Sequence, residues 1–201
     1  MNRSAMSVRL QIFAALVFSL TVSACGSPAP QERPPLAGAA IGGPFALVGK
    51  DGKTVRWQDF AGKYRIVYFG YTFCPDACPT DVAAMMQGLA RFEKAQPALA
   101  AQVQPIFITI DPLRDTAPVV GEFAAAFSPR LIGLTGPPAT IAAAAKSFGA
   151  YAAKGKESGG GYLMDHTRIA YLMGRQGEPM AILPIERGPQ AVEAELVQWV
   201  R

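Results

Sequence analysis

One stretch of the sequence decides the fold: YRIVYFGYTFCPDACP, residues 64–79. Its first half is an apolar run that predicts a buried β-strand, and a helical periodicity begins near Pro79. Cys74 and Cys78 therefore lie at a turn from a strand to a helix. Their spacing brings the two α-carbons close enough either for a disulfide or for joint capture of one metal ion. The helix N-terminus adds partial positive charge, which favours thiolates over thiols.

Strands and helices alternate on either side of this turn. Residues 45–57 predict a β-hairpin around the turn Asp51-Gly52. The sequence further predicts helices at 79–95, 116–127, 138–148 and 190–201, and strands at 103–110, 131–134, 168–173 and 180–185. Alternating strands and helices indicate a parallel core sheet, which the late hairpin extends. This α/β pattern resembles the thioredoxin-like fold: a central mixed sheet flanked by helices, with an N-terminal β-hairpin.

His166 is the only histidine of the chain, and it follows a segment rich in glycine and lysine. That segment, residues 154–161, predicts a mobile surface loop. In a thioredoxin-like sheet the turn that enters the late hairpin lies near the cysteine loop. We therefore expect His166 to approach Cys74 and Cys78, and the mobile loop to let the site rearrange around a metal or a partner.

The N-terminal residues predict export and a membrane anchor. Residues 1–24 combine two arginines, a short apolar stretch and small residues, which is typical of a secretory signal peptide. Val22-Ser23-Ala24-Cys25 resembles a bacterial lipoprotein processing site, in which the cysteine carries a lipid. We expect residues 25–43, with several prolines, to form a lipid-anchored tether and residues 44–201 to form one domain. A formal net charge of +4 gives no indication of a nucleic-acid partner.

If Cys25 carries a lipid, Cys74 and Cys78 remain as a single pair in an oxidising compartment. Two thiolates and one imidazole suit Cu(I) and also hold Cu(II). A structural zinc site would ordinarily need a fourth protein ligand. Asp165 or Asp76 are candidates to hydrogen-bond the ligands or to supply a weak oxygen ligand. Methionines also bind Cu(I), but Met85 and Met86 lie on an apolar helix face, where core packing is the better interpretation.

Three motifs give the sequence a family resemblance: residues 71–79, residues 111–116 with the sequence DPLRDT, and Asp165-His166-Thr167. In order and approximate spacing they resemble the Sco/SenC copper chaperones. The resemblance implies that Cys74, Cys78 and His166 bind copper, as Cu(I), Cu(II) or both.

The resemblance also implies a function in building the binuclear copper centre of cytochrome c oxidase subunit II. The expected partners are that subunit and a periplasmic copper donor. We expect the protein to lie on the periplasmic side of a bacterial membrane, where the lipid on Cys25 holds it. This function favours the inner membrane. Within the second motif we expect a turn and a helix cap, with Asp115 accepting amide hydrogen bonds rather than binding metal.

Other interpretations keep the two cysteines but change their function. A thiol-disulfide oxidoreductase would use them to reduce the copper-ligand cysteines of the same target, although thioredoxin-type enzymes separate their cysteines by two residues rather than three. A structural disulfide and a histidine without a metal would be the plainest reading of the same residues. A peroxidase is disfavoured, because the arrangement expected around a peroxidatic thiol is missing.

Overall fold

The segment that decides the fold forms the predicted strand and helix. A computed structural model describes residues 32–158 and 161–201. Its strands are β1 (Ala46–Val48), β2 (Thr54–Arg56), β3 (Tyr64–Gly70), β4 (Val103–Thr109), β5 (Ile132–Leu134), β6 (Ala152–Ser158), β7 (Gly161–His166), β8 (Ala170–Met173) and β9 (Pro179–Leu183). Its longer helices are α1 (Ala77–Ala95), α2 (Ala117–Phe127), α3 (Pro138–Ser147) and α4 (Pro189–Trp199). Short helical turns cover Trp57–Phe60, Pro97–Ala100 and Ile185–Arg187.

The central sheet has five strands in the order β5-β4-β3-β8-β9. Strands β3, β4 and β5 are parallel, whereas β8 runs antiparallel to both β3 and β9. The late hairpin therefore extends a parallel core, as predicted. Strands β1 and β2 form the predicted N-terminal hairpin, and a bridge between Val48 and Thr135 joins it to the chain just after the edge strand β5. The mixed sheet flanked by helices is confirmed.

Strand β3 is buried throughout, and apolar apart from Arg65, because both of its faces are covered. Ile66 and Tyr68 belong to the core cluster that includes α1 and α4, whereas Val67 and Phe69 belong to the cluster on the opposite face of the sheet. Successive side chains of a strand point to opposite faces, so a strand between two layers needs an uninterrupted apolar run. The unbroken burial of β3 fixes the strand end from which the cysteine loop leaves.

Helix α1 carries Cys78 in its first turn, just after Cys74 in the preceding loop, and packs against α4. Met85 and Met86 are core residues, as predicted. The two helices approach closely at Gly88, where an added β-carbon would lie 2.5 Å from Val192 Cβ and 3.0 Å from the Pro189 carbonyl oxygen. A glycine at this position therefore sets how deeply the cysteine-bearing helix sits on the core.

The prediction of a loop at residues 154–161 is wrong for residues 154–158 and for Gly161, which lie in strands; residues 159 and 160 lie outside the described residues. Residues up to Ser158 form β6, which pairs antiparallel with β7, and Ala152 lies opposite His166 in that register. Strand β7 alternates exposed and half-buried residues, and this pattern gives β6 a partner despite its own composition of glycine, lysine and other polar residues. His166 therefore ends a strand that pairs with β6.

The folded unit begins earlier than predicted. It extends from Arg33 to Arg201. Leu36 and Ile41 pack against the core, and the Leu36 amide donates to the Met180 carbonyl oxygen at 2.9 Å. The expected tether to residue 43 is therefore too long, because its second half belongs to the domain. The expected signal peptide and Cys25 lie outside the described residues. None of the helices within residues 32–158 and 161–201 has the length and apolar character that crossing a membrane requires.

The close approach at Gly88 predicts the effect of a substitution. Gly88→Ala should lower the free energy of unfolding by about 1–2 kcal/mol, since overpacking against Val192 outweighs the gain of about 1 kcal/mol in helix propensity. Denaturant unfolding followed by circular dichroism measures this difference. The control is Gln87→Ala at an exposed position of the same helix. A Gly88→Ala protein as stable as this control would show that α1 and α4 separate without cost.

Candidate metal centre

The loop between β3 and α1 brings the two cysteines together. Helix α1 begins at Ala77, earlier than predicted, so Cys78 lies within its first turn. Gly70 ends β3 directly beneath it, and an added β-carbon there would lie 2.8 Å from the Tyr68 ring and 3.1 Å from Cys78 Sγ. Sequence reasoning did not assign Gly70 a function, although a glycine that ends a buried strand signals such a close approach.

Cys74, Cys78 and His166 form one cluster. One ligand atom from each residue lies within 4.8 Å of those of the other two. His166 Nε2 is 3.3 Å from Cys78 Sγ. The Cys78 amide donates to Cys74 Sγ at 3.3 Å, and both thiols are free rather than joined in a disulfide. The structure thus brings together the three side chains that the sequence singled out.

The environment of His166 fixes which ring nitrogen is available. Nδ1 lies 3.0 Å from the Thr167 carbonyl oxygen, and a carbonyl can only accept a hydrogen bond. The proton therefore sits on Nδ1, and Nε2 directs its lone pair towards the sulfurs. Burial lowers the pKa of His166, which keeps the ring neutral. The expected carboxylate partner is replaced by this backbone carbonyl: Asp165 is exposed on the other side of β7.

The two thiols differ sharply in acidity. Burial raises the pKa of Cys78 to about 12. Burial also opposes ionisation of Cys74, but hydrogen bonds from the backbone amides of Cys78 and Asp76 outweigh it and hold the pKa of Cys74 below the ordinary thiol value. Asp76 thus acts through its amide. Among the described residues, the carboxylates of Asp76 and Asp165, which were candidates for a weak oxygen ligand, do not belong to the metal-ligand cluster. Cys74 is the more exposed and more nucleophilic thiol.

Asp115 holds the loop that leads into the cysteines. This carboxylate is fully buried. It accepts hydrogen bonds from the Thr72 amide at 3.0 Å, from the Thr72 hydroxyl at 2.6 Å and from the Thr109 hydroxyl at 2.6 Å. Asp115 accepts an amide hydrogen bond, as expected, and its donor lies in the cysteine loop. The helix cap expected within this motif falls on Thr116, which is the N-cap of α2 but makes no side-chain cap bond.

Arg114 joins the cysteine loop to the strand that carries His166. Its guanidinium lies 3.7 Å from the centroid of the Tyr162 ring on β7 and 4.9 Å from that of Phe73 beside Cys74. It also donates to the Asp111 carboxylate and to the Tyr162 carbonyl oxygen. The motif at residues 111–116 therefore positions both halves of the site and supplies no ligand atom to the cluster.

The cluster supports two kinds of chemistry. Two sulfurs and a neutral imidazole nitrogen form a soft, low-coordinate donor set that fits copper better than the harder cations. A nucleophilic thiol beside a buried second thiol also fits disulfide exchange. Both uses require the cysteines to be reduced, which is how the structure describes them.

Comparison with known proteins identifies relatives over most of the chain. The family model described as SCO1/SenC matches residues 33–201. Protein SCO1 homolog 1 of Arabidopsis thaliana, a mitochondrial protein, is 43% identical over 143 residues, which cover 71% of this chain and 42% of that protein. Protein SenC of Rhodobacter capsulatus is 39% identical over 185 residues, which cover 86% of this chain and 80% of SenC.

The fold is also found among solved structures. The copper-bound structure of ScoI from Bradyrhizobium japonicum matches with a TM-score of 0.71 and 39% identity, over 80% of this chain and 99% of that one. Proteins of this group have a thioredoxin-like fold, so the fold class expected from the sequence is confirmed.

The difference in acidity predicts a difference in reactivity. In the reduced protein at pH 7, Cys74 should react with iodoacetamide about a hundredfold or more faster than Cys78, because the reacting species is the thiolate. Peptide mapping by mass spectrometry separates the cysteines. Cys78→Ser should keep the fast reaction and Cys74→Ser should lose it. Equal rates for the two thiols would contradict the assigned asymmetry.

Proposed function

The chain belongs to the SCO1/SenC family, and we propose that it binds copper through Cys74, Cys78 and His166 and serves the assembly of cytochrome c oxidase. The observation that carries this proposal is the cluster itself, with its three ligand atoms within 4.8 Å of one another. A copper ion is the cargo rather than a resident cofactor.

The three residues hold the cargo in different ways. The two thiolates satisfy Cu(I), which accepts a low coordination number, and His166 Nε2 adds the nitrogen that Cu(II) prefers. Binding displaces the proton of Cys78, whose pKa is about 12 without metal, so the affinity rises with pH. Cys74 is half-exposed and Cys78 is buried. An incoming ligand from a partner therefore reaches the copper on the Cys74 side.

We propose that the recipient is subunit II of cytochrome c oxidase and that a periplasmic protein supplies the copper. The proposal is supported by the family membership and by the copper-bound relatives. Phe73, beside Cys74, is exposed over 53% of its surface and gives this side of the site an apolar rim for contact with a protein.

A second function, reduction of the recipient's ligand cysteines, is favoured by the unequal thiols. The Cys74 thiolate attacks one sulfur of the target disulfide, which forms a mixed disulfide and releases one target thiolate. Cys78 then gives its proton to His166 Nε2, 3.3 Å away, and attacks Cys74 Sγ. The second target thiolate leaves, the target gains two electrons, and the chain retains a Cys74–Cys78 disulfide.

We also propose that residues 1–24 are removed on export and that a lipid on Cys25 holds the domain at the periplasmic face of the inner membrane. The sequence pattern at Val22-Ser23-Ala24-Cys25 supports this anchor. A short tether before Arg33 would keep the domain near the bilayer, where its target lies.

The anchor predicts where a variant is found in the cell. Cys25→Ser should move the protein from the membrane fraction to the soluble fraction and abolish incorporation of labelled fatty acid. Cell fractionation with metabolic labelling measures both. Cys74→Ser, which leaves the lipidation site intact, should remain in the membrane. Membrane retention of Cys25→Ser without label would point to a different anchor.

The ligand set predicts a loss that depends on oxidation state. His166→Ala should weaken Cu(II) binding by about a hundredfold or more, because loss of a residue that only orients a metal ligand already lowers metal affinity by about tenfold to a hundredfold. The same substitution should weaken Cu(I) binding by less than about tenfold, because the two thiolates remain. Competition titrations with chromophoric chelators measure both affinities. Asp165→Asn is the control and should change neither. Equal retention of both ions would exclude His166 as a ligand and would favour the thiol-exchange function.

A further inference from the structure

An ion pair with a buried carboxylate lies next to the candidate copper site. Asp81 is on α1, one helical turn after Cys78, and only 1% of its surface is exposed. Arg168 follows His166 by two residues, at the start of the segment that leads into β8. Arg168 Nη2 donates to Asp81 Oδ1 at 2.6 Å and its Nε donates to Oδ2 at 2.9 Å. The pair is therefore bidentate, the geometry that adds orientation as well as energy.

Asp81 has one further partner. The Tyr68 hydroxyl on β3 donates to Asp81 Oδ2 at 2.9 Å. The ring of Tyr68 in turn stands perpendicular to the His166 ring, with the centroids 6.4 Å apart. The carboxylate thus connects the core strand, the cysteine-bearing helix and the histidine-bearing segment. Its charge is compensated only when Arg168 is in place.

The ion pair constrains the backbone next to His166. Thr167, whose carbonyl oxygen accepts the Nδ1 hydrogen bond of His166, lies between His166 and Arg168 in the sequence. Anchoring Arg168 to α1 fixes where this carbonyl points, and the carbonyl selects the tautomer of the ring. Half of the Arg168 side chain is exposed, yet its head group is committed to a buried partner. An arginine with only a solubilising function would not bind a buried carboxylate in this way.

We propose that Asp81 and Arg168 are positioning residues that hold His166 Nε2 towards the two sulfurs and thereby raise the affinity of the site for Cu(II) relative to its affinity for Cu(I). The inference rests on the proposed copper-binding function. The cysteines lie on one continuous loop and helix turn, so they keep their spacing without Arg168. The imidazole comes from a different element and depends on the ion pair for its place.

The test compares Arg168→Gln with the unaltered protein. Cu(II) affinity should fall by about tenfold to a hundredfold, the range found for groups that orient a metal ligand, whereas Cu(I) affinity should change by less than about threefold. Electron paramagnetic resonance of the Cu(II) form should show weakened nitrogen hyperfine coupling. In the metal-free protein, the ¹⁵N shifts of His166 should change from a single Nδ1–H tautomer to a mixture. Arg168→Lys keeps the charge without the bidentate geometry, so its Cu(II) affinity and its ¹⁵N shifts should lie between those of Arg168→Gln and the unaltered protein.

Two further variants separate positioning from stability. Arg168→Gln combined with Asp81→Asn removes the uncompensated buried charge and should recover thermal stability without recovering Cu(II) affinity. Arg91→Gln breaks the exposed ion pair between α1 and Glu193 on α4, about 20 Å along the helix from Cys78, and should leave both copper affinities unchanged.

The outcomes are distinct. Unchanged Cu(II) affinity and an unchanged tautomer in Arg168→Gln would overturn the inference. Equal losses of both ions that follow the melting temperature would also overturn it, because they would show a purely structural contribution. If the unaltered protein binds no copper, the proposed function fails instead, while the tautomer measurement still decides whether Arg168 positions His166.

Discussion

Cys78 Sγ and His166 Nε2 lie 3.3 Å apart although 88 residues separate them in the sequence. The contact depends on how β3 and β8 pair. Because they are antiparallel, the first residue of β8 lies opposite the end of β3, with Ala170 paired to Tyr68. The chain enters β8 at the point where the cysteine loop leaves β3. Any other register or direction of β8 would carry the imidazole away from the thiols.

One helix N-terminus produces two unlike thiols. The amides of the first turn converge on Cys74 Sγ and stabilise its thiolate, whereas Cys78 projects into the core beneath them and loses hydration. The partial charge of the helix is the same for both, so its proximity alone does not predict reactivity. What distinguishes them is whether amide hydrogens or apolar atoms surround the sulfur. This difference gives the pair a defined order in thiol exchange and a defined open side for ligand exchange.

The sequence predicts the elements whose pattern is local. No knowledge of tertiary contacts is needed to predict β3 from its apolar run or α1 from its periodicity. The same holds for the choice of Cys74, Cys78 and His166 as candidate ligands, which follows from their residue types. What the sequence does not predict depends on a partner. Strand β6 exists because β7 pairs with it, although its own composition is typical of a loop.

The buried carboxylates show the same limit at the level of single residues. The sequence indicates that Asp115 accepts amide hydrogen bonds, but not that its partners are Thr72 and Thr109 on other elements. Asp81 could have been noticed as a charge at a core-facing position of α1, since an unpaired carboxylate there would be too costly. Its partner, Arg168, was not predictable from spacing, because the ion pair exists only once α1 and the segment before β8 are in contact.

For the proposed chaperone, the division of the ligands between elements has a physical consequence. The two sulfurs move together, since one helix turn and the loop before it hold them, and Asp115 fixes that loop. The imidazole is held by contacts between elements: the ion pair of Arg168 on one side and the stacking of Arg114 against Tyr162 on the other. A small separation of β7 from α1 therefore removes the nitrogen and leaves both sulfurs in place. Such a movement lowers the coordination number without unfolding the cysteine loop, so a partner can approach the cargo while the protein still holds it.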